Sequence, residues 1–180
     1  MFNIEPGKHY SLGIDPSISA TGLALICLED LSVQTRTLST TKKIKTSVDD
    51  YRRVYELYTG ILGIVNQTPR MKISIEMPPG SATNARTAKM AGMCVGMLGP
   101  LYHQITHFYN AMAIKRFVGN KDIKGPDRKL LNIEKCNELY PNHDLRRNKS
   151  GNVLICENNA ADALLLAHMA RVNFSLTAKG

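Results

Sequence analysis

The stretch that most constrains this chain is residues 21–28. There Leu23, Leu25 and Cys27 alternate with Gly22, Ala24 and Ile26, so an extended strand would be apolar on both faces. Such a strand must be covered from both sides and belongs inside a sheet. A short strand at residues 9–15 precedes it, with Asp15-Pro16-Ser17 as the turn, since proline fixes φ and disfavours helix at the residue before it. Val33–Ser39 alternates with polar residues and reads as an edge strand.

After the basic loop Lys42-Lys43-Ile44-Lys45, Ser47-Val48-Asp49-Asp50 reads as a variant capping box. The helix it opens carries Val48, Tyr51, Val54, Tyr55, Tyr58, Ile61, Leu62 and Val65 at helical spacing. Residues 71–76 form another strand, stopped by Pro78-Pro79-Gly80. A long helix rich in small residues, with Met90, Met93 and Met97 on one side, is expected over residues 83–107, and a strand containing Met112 and Ile114 over 109–118. Gly125-Pro126-Asp127 opens a helix to about Leu139, with proline at its first position. A polar loop spans 142–152, and a last helix spans 159–172. The order β-β-β-α-β-α-β-α-α describes one α/β domain over residues 1–180: a mixed five-stranded sheet with helices on both faces, and flexible ends at about 1–8 and 173–180.

With 180 residues, 43% of them apolar, the chain can bury one proper core. Its net charge of +8 points to polyanionic partners. The surplus is local, because residues 111–150 hold ten Lys and Arg against five acids. The 6% aromatic content, with no Trp, argues against a binder of single strands that works by stacking. No apolar run suits a membrane span. The start lacks the basic and apolar regions of a secretory signal. Cys27, Cys94, Cys136 and Cys156 are widely spaced and read as reduced core thiols of a cytoplasmic chain, or one placed wherever the genome is handled.

Acids fall in telling places. Asp15 closes the first strand, Glu76 closes the fourth, and Asp162 lies at the start of the last helix. Each alone has an ordinary explanation in a turn, a solvated strand end or a helix dipole. Together they would meet at the carboxyl edge of the sheet, where α/β folds build their sites. An all-oxygen acidic cluster of this kind suits Mg2+ or Mn2+. Between Glu76 and Asp122 there is no acid, whereas Arg86, Lys89, Lys115, Arg116 and Lys121 are present.

Leu12-Gly13-Ile14-Asp15-Pro16-Ser17 followed by Thr21-Gly22 resembles the opening of RuvC-type Holliday junction resolvases. Ile75-Glu76 is similar to their strand-four glutamate, and Ala160-Ala161-Asp162-Ala163-Leu164 to their closing motif. The resemblance spans about residues 10–172 and implies an RNase H-like fold and a homodimer. It further implies a nuclease that nicks four-way junctions and other branched DNA, such as forks, in recombination or repair. Asp15, Glu76 and Asp162 would be catalytic residues and ligands of two Mg2+ ions per active site, with Mn2+ able to substitute. The product would carry a 5′-phosphate and a 3′-hydroxyl. Lys115 matches a functional lysine of the family, and Lys121 and Lys124 straddle a second.

Where the family has another aspartate, this chain has Asn159; Asn159 or Glu157 would complete the metal shell. Pro79 stands where the family tends to carry an aromatic at the junction centre, which leaves strict four-way preference open. Lys115, Arg116, Lys121, Lys124, Arg128 and Lys129 form the expected DNA track, joined by Arg86 and Lys89, and Arg146, Arg147 and Lys149 could extend it. His103 and His107, one helical turn apart, lack the glutamate of a zincin. Residues 119–125 lack the Lys-Ser or Lys-Thr of a phosphate loop, so no nucleotide cofactor is expected. Competing readings are a nuclease of the same fold acting on RNA–DNA hybrids or flaps, and an inactive nucleic-acid-binding scaffold.

Overall fold

The computed structural model describes residues 2–44, 46–77, 85–119, 122–123, 126–143, 145 and 155–177, with side chains except at 87, 126–127, 155–157 and 174–177. Five strands, β1 (Tyr10–Asp15), β2 (Ala20–Cys27), β3 (Val33–Ser39), β4 (Met71–Met77) and β5 (Ile105–Asn110), form one sheet in the order β3-β2-β1-β4-β5. The first three make an antiparallel meander, and β4 and β5 extend it in parallel from β1. Five helices accompany them: α1 (Ser47–Val65), α2 (Ala85–Gly96), α3 (Ala111–Val118), α4 (Pro126–Leu139) and α5 (Ile155–Thr177).

The two-sided character of β2 is realised. Leu23 and Leu25 pack with Leu12, Ile14, Ile73 and Ile75 beneath Ile61, Ile64 and Val65 of α1. Ala24 and Ile26 face the other way, into a second core made with Ile133 and Cys136 of α4 and residues 160–167 of α5. On that second face α5 lies unusually close to the sheet. A Cβ at Gly13 would sit 1.9 Å from the Ala163 carbonyl oxygen, and one at Gly22 would sit 2.0 Å from that of Asn159. Both positions need glycine because helix backbone occupies the space of a side chain. Ser11 Oγ ties the same contact further along, donating to the Ala167 carbonyl at 2.9 Å.

Several expectations are corrected. The helix expected over 83–107 stops at Gly96, and Gly99-Pro100 starts a short 3-10 turn over Gly99–Gln104. The fifth strand then comes earlier than expected. In it Ile105, His107 and Tyr109 are half-buried, while Thr106, Phe108 and Asn110 are exposed. Residues 111–118, read as strand, are helix α3: the Asn110 side chain caps it by accepting from Ala113 N, and Gly119 closes it at φ 80°. His103 and His107 therefore share no helix, and the His107 ring stacks on Tyr109.

The cap of α1 is Thr46, which accepts from Asp49 N, one residue before the expected Ser47. The buried face of α1 is also rotated from expectation. Val48, Tyr51 and Tyr55 are exposed (78%, 65% and 66%), while Asp49, Asp50 and Arg53 turn inward. The reason is hydrogen bonding: Arg53 donates to Thr40 Oγ1, the Ile18 carbonyl and Ser19 Oγ, and Asp49 accepts from Lys43 N and Arg52. Within the start expected to be loose, Phe2 lies in the core with Ile4 packed against it, and Asn3 N donates to Gln34 Oε1 at 2.7 Å. Cys27, Cys94 and Cys136 are buried free thiols. Among the described residues no helix is long and apolar enough to cross a membrane. Pro78-Pro79-Gly80 and most of the 142–152 loop lie outside the described residues.

Candidate active site

The register of β1 and β4 brings two of the acids together. Gly13 pairs with Ser74 and Ile14 with Ile75 in parallel, so Asp15 and Glu76 come next on neighbouring strands. Strands in a sheet lie about 4.8 Å apart. Because side chains alternate, Asp15 shares a face with Ser11 and Gly13, and Glu76 shares it with Ser74. That is the face under α5, which the glycine contacts hold against β1 and β2. Asp162 enters from α5, about two turns in. The helix begins at Ile155 rather than at 159, so Asp162 is too deep for its N-terminal dipole to be the main compensation.

These carboxylates act on one another electrostatically. Burial pushes the Asp15 carboxyl well above the ordinary range, and the charges of Asp162 and Glu76 push it further. Glu76 is raised to about 7 by burial and by Asp162. Asp162 is raised by burial and held back by a hydrogen bond from Asn132 Nδ2 to its Oδ1 at 2.6 Å. Two cations from the first turn of α4 oppose these shifts: Arg128 acts on all three acids, and Lys129 acts on Asp15 and Asp162. Arg128 Nε is buried and has no hydrogen-bond partner among the described residues.

The fold that carries these acids, two on strands and one on α5, can be compared with known proteins. No protein-family model matches the chain, and no curated protein does. Solved structures do. The T. thermophilus RuvC in complex with Holliday junction substrate aligns with a TM-score of 0.66 over 91% of this chain and 94% of that one, at 16% identity. Another Thermus thermophilus RuvC structure aligns with a TM-score of 0.62 over 90% and 95%, also at 16% identity. The chain has the RuvC fold. This is the RNase H-like mixed sheet expected from the sequence, and the RuvC fold here extends over nearly the whole chain.

The remaining described candidates are distributed over α2, α3 and α5. Lys115 and Arg116 stand on α3 rather than on a strand, Lys115 half-buried and Arg116 exposed. Arg86 and Lys89 are exposed on α2, where Lys89 Nζ donates to Ser47 Oγ at 3.1 Å. Lys121, Lys124, Arg146, Arg147 and Lys149 lie outside the described residues, and so does the side chain of Glu157. Asn159 is turned to β2, its Nδ2 donating to the Ala20 carbonyl at 2.5 Å. Asn132 joins the site without any sequence motif to mark it. It is buried on α4, one turn after Arg128 and one turn before Cys136, and a polar residue in that inward stripe is the signal that could have found it.

The donor set fits a hard divalent cation. It consists of three half-buried carboxylates, each made harder to ionise by desolvation, with Arg128 and Lys129 as the opposing charges. Among the described residues no group of three or more His, Cys, Asp or Glu side chains is drawn together as a ready metal cage. Like charges that repel one another are expected to stay apart until a cation joins them.

Proposed function

We propose that this chain is a metal-dependent endonuclease that nicks Holliday junctions and other branched DNA, acting as a homodimer in recombination or repair. The observation that carries this reading is that Asp15 and Glu76 end neighbouring strands in register, on the face that α5 covers and from which Asp162 comes. Their ionisation is suppressed by burial, and for Asp15 and Glu76 also by neighbouring acid charge. The likeness to a RuvC bound to a Holliday junction supports the choice of substrate.

Asp15, Glu76 and Asp162 would hold two Mg2+ ions, or Mn2+ in their place. Such ions lower the pKa of a bound water and stabilise the leaving 3′ oxygen of a phosphodiester. Asn132 fixes the orientation of the Asp162 carboxylate. Arg128, with its unsatisfied buried Nε–H, would hold a non-bridging oxygen of the scissile phosphate, and Lys129 would add positive charge beside it. Lys115, Arg116, Lys121 and Lys124, with Arg86 and Lys89 on the α2 side, would carry the DNA arms. Two symmetric nicks need two sites, and a closed two-fold dimer is the simplest way to present them. Support for the dimer comes from α2, where Met90 and Met93 are half-buried, and from the exposed Val48, Tyr51 and Tyr55 on α1, which touches α2. Met97 instead packs against the core of its own chain.

A panel of end-labelled four-way junctions, forks, flaps and RNA–DNA hybrids, incubated with Mg2+, tests the proposal. Nicking of junctions and forks that leaves 5′-phosphate ends is expected. Cleavage confined to hybrids would replace this reading with the ribonuclease one, and binding without cleavage would replace it with the scaffold.

A further inference from the structure

A buried amide oxygen without a partner is costly unless something outside the chain satisfies it. Asn158 is 4% exposed, and its Oδ1 has no hydrogen-bond partner among the described residues. The amide nitrogen makes only a 3.5 Å contact with Asn159 Oδ1, at the outer limit of a hydrogen bond. Asn158 lies four residues before Asp162 on α5, and side chains at that spacing share a helix face with Cβ atoms about 6 Å apart. The adjacent Asn159 is committed elsewhere, with its nitrogen on the Ala20 carbonyl and its backbone oxygen over Gly22.

We infer that the side-chain oxygen of Asn158, one helical turn before Asp162, is a further ligand of the divalent cation held by the acid cluster. The inference rests on the proposed metal site and adds a neutral oxygen donor to three carboxylates. An amide oxygen suits Mg2+ or Mn2+ and brings no further repulsion to an acid group that already resists ionisation. A purely structural asparagine at this depth would be expected to have its oxygen bonded within the fold.

The test is Mn2+ binding without DNA, followed by the quenching of the free Mn2+ resonance signal and by melting with and without Mn2+. Wild type, Asn158→Ala, Asn158→Asp and Asp162→Asn are compared. Asn158→Ala should weaken Mn2+ binding about tenfold, as removal of a metal-supporting group typically does. Its metal-free melting temperature should stay level or rise, because an unsatisfied buried oxygen is gone. Asn158→Asp should bind Mn2+ more tightly yet melt lower without it. If Asn158→Ala binds Mn2+ like wild type, or melts lower by the same amount with and without Mn2+, the inference is overturned while the metal site stands. If wild type binds no Mn2+, or Asp162→Asn binds it equally well, the metal-site reading fails and the inference fails with it.

Discussion

Gly13 lies so close beneath Ala163 that a methyl group on its Cα would stand 1.9 Å from the Ala163 carbonyl oxygen. This contact sets the height of α5 above β1, two residues from Asp15 and one residue along the helix from Asp162. The sheet and the third acid are thus aligned by the absence of a side chain. Gly13→Ala should destabilise the protein by about 1–3 kcal/mol or more through overpacking, and should weaken nicking beyond its effect on folding. Gly63→Ala is the contrast. Gly63 is an exposed helix residue of α1, and a methyl group on its Cα would meet nothing within 4 Å, so the substitution should gain roughly 0.5–1 kcal/mol. Urea unfolding of both variants measures the difference, and equal effects would show that the close approach at Gly13 does not constrain the packing.

Glu76 gives the stability a definite pH dependence. Its carboxyl rises from 4.5 to about 7 on folding. Below pH 4.5 it is protonated in both states, and the protonated folded form carries no penalty. As pH rises the unfolded chain ionises first and binds fewer protons, so stability falls until the folded carboxyl also ionises near 7. The loss corresponds to roughly 3 kcal/mol. Without metal, the stability of wild type relative to Glu76→Gln should therefore decline between pH 4.5 and 7, and Mg2+ should restore it above that range. A difference that stays flat with pH would show that Glu76 is not buried among the other acids.

Arg128 and Lys129 should act on DNA as well as on the acids. Replacing both with Ala should weaken binding to every DNA and reduce the slope of log K against log salt by roughly 0.9 for each phosphate no longer neutralised. Lys121→Ala with Lys124→Ala should act in the same direction. Filter binding across a salt series reads the slope, and an unchanged slope would take these residues off the DNA track.

Much of this architecture is legible in the sequence because apolar alternation and turn chemistry agree. β1, β2, β3 and β4 are such cases, and Pro126 marks the start of α4. The region from Ala85 to Val118 is not legible. Its small-residue helix runs into a short strand whose exposed positions include Phe108, and Met112 and Ile114 of α3 sit two apart, like inward residues of a strand. The cap from Asn110 and the stop at Gly119 decide the matter locally. The inward face of α1 is hidden for another reason: Asp49 and Arg53 are buried to serve loop groups elsewhere in the chain. At the site, strand-end acids can be read because register makes them neighbours. Asn132 shows only as a polar residue in the inward stripe of α4, since the partner it bonds is distant in sequence, and the adjacent Asn158 and Asn159 differ only in which way the helix turns them.

The acids should be separable from DNA binding. Asp15→Asn, Glu76→Gln and Asp162→Asn should each bind a four-way junction at least as well as wild type, since each removes negative charge near the phosphate track. Each should also melt higher without metal, since each relieves the buried repulsion. Gel-shift titration and melting curves check both. A variant that loses junction binding would place its acid in the fold or the DNA surface rather than in the metal site.

The most direct measurement is single-turnover cleavage of an end-labelled four-way junction in Mg2+ by wild type and by Asp15→Asn, at saturating protein. Wild type should give paired nicks with 5′-phosphate ends, abolished by chelation. The variant should cut roughly a thousandfold more slowly, as expected when several kcal/mol of transition-state stabilisation is lost. Cleavage by Asp15→Asn at the wild-type rate, or cleavage that survives removal of the metal, would contradict a metal site built on these acids.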